Sequence, residues 1–246
     1  MKILLMADGS VGLKIASWLI ENYPEDLSAV VATTENDIAF LAQSKFIPTL
    51  IFRTEEDFLS KISLHACADL GILAWWPKLV SSRILSSTRL GFINTHPSLL
   101  PHNRGKHYNF WALVEQAPFG VSLHFVDEGI DSGDVITQSP IFYDWEDTGE
   151  SLYLKAQEEM FALFAKEYPR IRAGSIVRTK QDLTAGSVHS SKELTPVSEI
   201  KLDKRYLARD LFNLLRARTF SGHPGCYFEQ DGETFEVRIN IKRKKK

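Results

Sequence analysis

Three side chains in this sequence could act on one reacting atom: Asn94, His96 and Asp131. Two of them lie in the run Asn94-Thr-His96-Pro97-Ser98-Leu-Leu-Pro101, and the third lies downstream in Asp127-Glu-Gly129-Ile-Asp131-Ser-Gly133-Asp134. Side chains two positions apart on a strand point to the same side, so the Asn94 amide and the His96 imidazole face one space. Pro97 biases His96 toward an extended backbone, and the turn over residues 98–101 lets Arg104-Gly105 return over a cleft. Gly129 and Gly133 permit tight backbone geometry around the Asp131 carboxylate. An amide donor, an imidazole and a carboxylate suit acyl transfer to an amine. The amide steadies a tetrahedral oxyanion while the other two handle the proton the amine loses, and no serine or cysteine nucleophile is required. Taken singly, His96 reads as a core histidine and Asp131 as a turn residue; their combination with Asn94 in one motif favours the catalytic reading.

The elements that must hold these residues are legible as alternating patterns. Short β-rich apolar runs at 3–7, 29–33, 49–52, 68–74 and 91–96 alternate with helical patterns at 13–22, 38–44, 55–62 and 77–85. This predicts βαβ units, hence a Rossmann-like, mostly parallel sheet with helices on both faces and ligands at the carboxyl ends of the strands. Asn94 and His96 fall where the fifth strand ends. A helix over 107–115, a strand over 119–126, the polar loop 127–133, a strand over 135–142 and a long helix over 148–172 follow. From 173 to 199 periodicity fades and Gly, Ser, Thr and Lys accumulate, which reads as a linker or irregular arm. A helix over 204–218 carries Leu207, Leu211, Leu214 and Leu215 on one face, and Asp231-Gly232 between two β-rich runs marks a hairpin. The expected division is a catalytic core over 1–175 and an appendage of linker, helix and hairpin over 176–246.

Composition excludes several classes. The chain has 246 residues, 44% hydrophobic and 24% charged, with a formal net charge of -2, so nothing global recruits nucleic acid. The basic residues 242–246 read as a solvated end. Cys67 and Cys226 are too few and too far apart for a disulfide scaffold, as expected of a cytoplasmic protein. No signal-peptide pattern and no apolar run of about 20 residues is present, so no membrane span is expected. His65, His102, His189 and His223 show no HxxxH-type spacing, and no metal is expected. His124, on the strand before the Asp131 loop, reads as a packing or supporting residue. Gly9-Ser10-Val-Gly12 is not a full G-x-G-x-x-G fingerprint, and Glu35 only approximates the acidic residue that a dinucleotide site needs.

The N-x-H-P-S-L-L-P run with its downstream Asp131 loop resembles the folate-dependent formyltransferase family, which includes glycinamide ribonucleotide, methionyl-tRNA and sugar N-formyltransferases. The resemblance follows the family's element order from residue 1 to about 142. It implies that Asn94, His96 and Asp131 are the family's catalytic asparagine, histidine and aspartate, and that the co-substrate is N10-formyltetrahydrofolate. It also implies that the pterin lies between the segment 73–77 and the Asp131 loop, giving Trp76, Val126, Asp127, Gly129 and Asp131 as folate-site positions. Methionyl-tRNA formyltransferases carry a C-terminal barrel that residues after 200 are too few to build. Glycinamide ribonucleotide enzymes end soon after the core, and Gly9-Ser10 only loosely matches their phosphate turn. The sugar subgroup is the most similar, in residues 104–111, 120–129, 214–220 and 224–228. That similarity implies a dTDP- or UDP-linked 3-amino or 4-amino deoxysugar as acceptor, a place in surface polysaccharide (lipopolysaccharide) synthesis, and a homodimer; the C-terminal helix and hairpin are the candidate interface because their apolar faces need partners beyond the main core. The candidate substrate contacts are Gly9, Ser10, Lys78, Arg104, Gly105, Lys106 and Tyr108, with cations for a pyrophosphate and an aromatic ring for a base. The alternatives are formylation of glycinamide ribonucleotide or another amine, hydrolysis of the formyl-folate, and a non-catalytic nucleotide-binding module.

Overall fold

Ile3–Ala7 (β1) and Leu70–Ala74 (β4) are apolar at nearly every position and buried throughout, the pattern of strands covered on both faces. A computed structural model of the chain describes residues 1–65 and 68–244, so Cys67 and the last two residues of the basic tail lie outside the described residues. In chain order the strands are β1, β2 (Leu27–Ala32), β3 (Thr49–Ile51), β4, β5 (Phe92–His96), β6 (Arg104–Gly105), β7 (Gly120–Phe125), β8 (Val135–Pro140), β9 (Val188–His189), β10 (Cys226–Gln230) and β11 (Glu233–Val237). The helices are α1 (Gly9–Asn22), α2 (Asp37–Ser44), α3 (Glu55–His65), α4 (Ser82–Leu85), α5 (Tyr108–Val114), α6 (Gly149–Arg172), α7 (Leu194–Val197) and α8 (Ala208–Ala217). Among the described residues, no helix is long and apolar enough to cross a membrane.

Seven strands form one sheet in the order β3-β2-β1-β4-β5-β7-β8. The chain builds outward from β1 to β3, then returns to lay β4 on the other side of β1, so the topological switch point lies between β1 and β4. Every pairing from β3 to β5 is parallel, and β5 with β7 is antiparallel. This is the expected mostly parallel α/β sheet with helices. The hairpin β10–β11 and the short parallel pair β6–β9 are separate two-stranded sheets.

The chain packs as two compact units. The first comprises Met1–His96, Ser122–Gln138 and Gln157–Gln181. On one face of its sheet Leu4, Met6, Ala29, Val31 and Phe92 pack with Phe58, Ile62 and Trp76. On α1, Val11, Ile15, Ala16 and Leu19 are buried, and Trp18 meets Phe164 and Tyr168 of α6 edge to face. Buried Asp26 accepts hydrogen bonds from the Tyr168 hydroxyl at 2.9 Å and from Arg172 Nε at 2.6 Å, which anchors the end of α6. Gly71 of β4 is required by its neighbour: a Cβ there would stand 2.1 Å from the Phe92 ring of β5. The second unit comprises Pro97–Val121, Ser139–Ala156 and Asp182–Lys246, and contains α5, α8 and the hairpin.

Several boundaries differ from the sequence expectation for local reasons. Helix α1 begins at Gly9 rather than 13 because Asp8 caps it, its carboxylate accepting from Gly9 N. The helix expected over 77–85 shortens to Ser82–Leu85, since Ser81 caps it through Ile84 N and Pro77 stands upstream. Helix α8 begins at Ala208, not 204, because Lys201 N donates to the Tyr206 hydroxyl and ties residues 201–206 into a turn. The stretch 173–199 is not wholly irregular: it supplies β9 and α7.

Candidate active site

Strand β5 presents Asn94 and His96 on one side and Thr95 on the other. Thr95 Oγ1 donates to Leu73 O at 3.1 Å and accepts from Trp75 N at 2.8 Å. This hydroxyl links the ends of β4 and β5 and holds Trp75, whose φ is 58°. Asn94 is half-buried, whereas His96 is buried.

The antiparallel register sets His124 of β7 directly opposite Asn94. His124 Nδ1 lies 2.8 Å from its neighbour's carbonyl, Phe125 O, which can only accept, so Nδ1 carries the proton. The other ring nitrogen of the neutral imidazole then accepts, and Asn94 Nδ2 donates to it at 3.3 Å. That bond uses one of the two amide hydrogens of Asn94 and fixes which way the amide faces. Burial pushes the His124 imidazole down to about 4, with His96 adding to the effect and Asp131 opposing it.

Asp131 comes from the loop between β7 and β8. The Asp127 carboxylate nucleates that loop from within, accepting from Gly129 N at 3.0 Å and from Ser132 Oγ at 2.7 Å. Gly133 lets it close, because a Cβ there would meet Phe125 O at 1.9 Å. Asp131 itself has φ 48°, a left-handed conformation that aspartate tolerates better than most residues. Its Oδ1 lies 3.4 Å from His96 Nδ1 and 3.7 Å from His124 Nε2. The two imidazoles meet edge to face, with ring centroids 5.9 Å apart. His96, His124 and Asp131 each offer a ligand atom within 4.8 Å of one another, a donor set of the kind that holds zinc-like cations. A linear search for HxxxH spacing could not find it, since the three residues come from two strands and a loop. A cation there would compete with Asn94 for the same His124 lone pair.

The structure therefore brings Asn94, His96 and Asp131 together and adds His124, which sequence reasoning had left as a supporting residue. Of the folate-site positions, Asp127, Gly129 and Asp131 lie in the loop just described. Val126 donates its N–H to Phe92 O at 2.8 Å, and the Trp76 side chain is buried in the core, edge to face with Phe52. Gly9 and Ser10 open α1 at the carboxyl end of β1, and the Ser10 hydroxyl donates to Gln157 at 3.0 Å. Lys78 stands 5.0 Å over the Phe52 ring. Arg104, Gly105, Lys106 and Tyr108 belong to the second unit. There Arg104 and Gly105 pair with Val188 and His189, Lys106 N donates to His189 O, and burial pushes the Tyr108 phenol well up.

The anchor of that pairing was also missed by sequence reasoning. The His189 ring stacks on Trp111 at 3.7 Å and stands between Glu115 at 2.8 Å and Glu193 at 3.0 Å. Its stacking partner and Glu115 lie more than 70 residues away in sequence, so no local pattern announces it.

His124 generates a testable pH dependence. The fold admits its proton only near pH 4, whereas the unfolded chain takes it up near 6.5. The unfolded state binds more protons within that window, so stability that is full above pH 6.5 declines as the pH falls toward 4, by at most about 3 kcal/mol. Urea unfolding measured above and within the window should show this decline, and His124→Gln should reduce it; identical pH slopes for both proteins would contradict the assignment.

Residues 24–166 match the Formyl transferase family, and residues 193–243 match the N-formyltransferase dimerization C-terminal domain. The methionyl-tRNA formyltransferase of Agathobacter rectalis is 31% identical over 69% of this chain and 54% of its own length. The chain spans little more than half the length of the curated relatives it matches. A solved 4-N formyltransferase from Francisella tularensis aligns with a TM-score of 0.83 at 24% identity, covering 98% of each chain. An N-formyltransferase from Helicobacter canadensis, in complex with folinic acid and dTDP-3-aminofucose, aligns with a TM-score of 0.70 at 18% identity, covering 98% of this chain and 96% of its own. At these identities the two structures show a shared fold. With more than half of its length matched, the chain belongs to the formyl transferase family.

Proposed function

We propose that the protein transfers a formyl group from N10-formyltetrahydrofolate to the primary amine of a nucleotide-linked amino deoxysugar used for surface polysaccharide. The observation that carries this reading is the convergence of Asn94, His96 and Asp131, with Oδ1 of Asp131 3.4 Å from the His96 ring. The folinic acid and dTDP-3-aminofucose of the Helicobacter canadensis enzyme support the donor and the acceptor class.

The reaction requires the acceptor amine to attack the formyl carbon, forming one C–N bond while the bond to N10 breaks. The amine loses a proton and N10 gains one. Asn94 has one amide hydrogen committed to His124, which leaves the second to donate to the formyl oxygen as it gains negative charge. His96 supplies the other donor to that oxygen. Asp131 orients His96 and passes the amine's proton toward N10 through water.

Mass spectrometry of reactions with dTDP- and UDP-linked 3-amino and 4-amino deoxysugars tests the acceptor, with glycinamide ribonucleotide and methionyl-tRNA as comparison arms. A formyl mass gain on a nucleotide sugar is expected; gain only on a comparison acceptor, or on none, would overturn the reading. In single-turnover assays Asn94→Ala should lower the rate by about 10²- to 10³-fold. His96→Ala and Asp131→Asn should each lower it by about 10²- to 10⁴-fold. All three should keep a folded circular-dichroism spectrum, and full activity in any of them would refute the assigned roles.

The same reading includes a homodimer. The second unit carries an apolar hollow of about 510 Å³ lined by Trp145, Phe212, Ile239 and Ile241, and Leu207 nearby in sequence is 74% exposed. Much of this face falls within the stretch that matches the dimerization domain. Phe212→Glu should place a charge in the joined surfaces and shift the protein to monomer in light scattering; an unchanged dimer would exclude this face.

A further inference from the structure

Asp131 is useful only if its carboxylate stays between two imidazoles, and its own loop does not fully explain how it does so. Asp127 braces the residues around the loop's start and Ser132, but its bonds do not reach the backbone on either side of Asp131. That backbone is held from 50 residues away in sequence. Gln181 Nε2 donates to Asp131 O at 2.9 Å and to Gly133 O at 2.7 Å, one hydrogen to each carbonyl. The two carbonyls bracket the turn through which the left-handed Asp131 leads into β8. Fixing both fixes the direction in which the Asp131 side chain leaves the main chain.

Gln181 does not act from a free end. Two residues earlier, Thr179 and Val135 exchange backbone hydrogen bonds, each 2.8 Å long. One residue before that, the Arg178 guanidinium lies 3.4 Å over the Phe125 ring. Phe125 ends β7 and Val135 begins β8, so residues 178–181 fasten to both strands that flank the loop and to the loop itself. We propose that residues 178–181 are a strap over the Asp131 loop and that Gln181 is a positioning residue for Asp131, in the formyl transfer proposed above. Asp131 Oδ1 stands 3.4 Å and 3.7 Å from its two partners, longer than close hydrogen bonds, so its placement depends on how the loop backbone presents the carboxylate. A displacement of about 1 Å in such a constellation can cost about 10²-fold in rate.

The decisive variant is Gln181→Glu, which keeps the shape and replaces the donor with an acceptor facing two carbonyl oxygens. Gln181→Ala removes the donor without adding repulsion. The strap predicts that kcat falls by about 10- to 100-fold in Gln181→Ala and further in Gln181→Glu, with little change in the KM of the amine. It also predicts that amide hydrogen exchange rises selectively over residues 127–134 in both variants, with the remaining sheet protected as in the wild type. Wild-type turnover by Gln181→Glu, or exchange that rises evenly across the sheet, would overturn the proposal. If the wild-type protein formylates no acceptor, the functional reading fails, and the exchange pattern alone then decides the strap.

Discussion

A carboxylate placed within reach of two buried imidazoles is the constraint around which this protein is arranged. The Asp131 carboxylate must leave bulk water, and its Oδ1 stands 3.4 Å from His96 and 3.7 Å from His124. Removing a carboxylate from water costs several kcal/mol unless charge and hydrogen bonds compensate. The neighbourhood is therefore built to hold the group in place. The Asx turn of Asp127, the side-chain-free space at Gly133, the left-handed backbone at Asp131 and the Gln181 bonds all act on the same few atoms.

The sheet delivers the other half of the site. A parallel run of strands places the ends of β1, β4 and β5 along one edge, where ligands meet α/β sheets. The switch to antiparallel pairing at β5–β7 then brings a strand back in the opposite direction, so that His124 faces Asn94 across the ladder. A parallel neighbour would leave the loop after it at the same edge but would not return His124 beside Asn94 immediately before the Asp131 turn. His124 in turn stays neutral through burial, which keeps its lone pair available to the amide. Asn94 is thereby oriented by a group that does not itself need to touch substrate.

Much of this was legible in the amino acids. Buried parallel strands must be apolar at every position, so β1 and β4 announced themselves, and the N-x-H-P motif marked the reacting residues because strand alternation puts Asn94 and His96 on one side. The partnership of His124 was hidden, since it depends on the register of two strands 30 residues apart. Gln181 was hidden more deeply. The Gly-, Ser- and Thr-rich stretch around it reads as a linker, and only the fold carries it back to the loop. Strand-end position does not reveal where a large ring points, and the Trp76 indole is packed into the core against Phe52. The helix predicted over 77–85 failed for a local reason: Ser81 is a better cap than the residues before it.

The central claim is that His96 and Asp131 act as one unit, and a double-mutant cycle on single-turnover formyl transfer measures this most directly. Groups that work through one another are strongly non-additive, so His96→Ala combined with Asp131→Asn should be scarcely slower than the worse single variant. If the two losses instead multiply, the residues act independently, and the account of a carboxylate working through its imidazole is wrong.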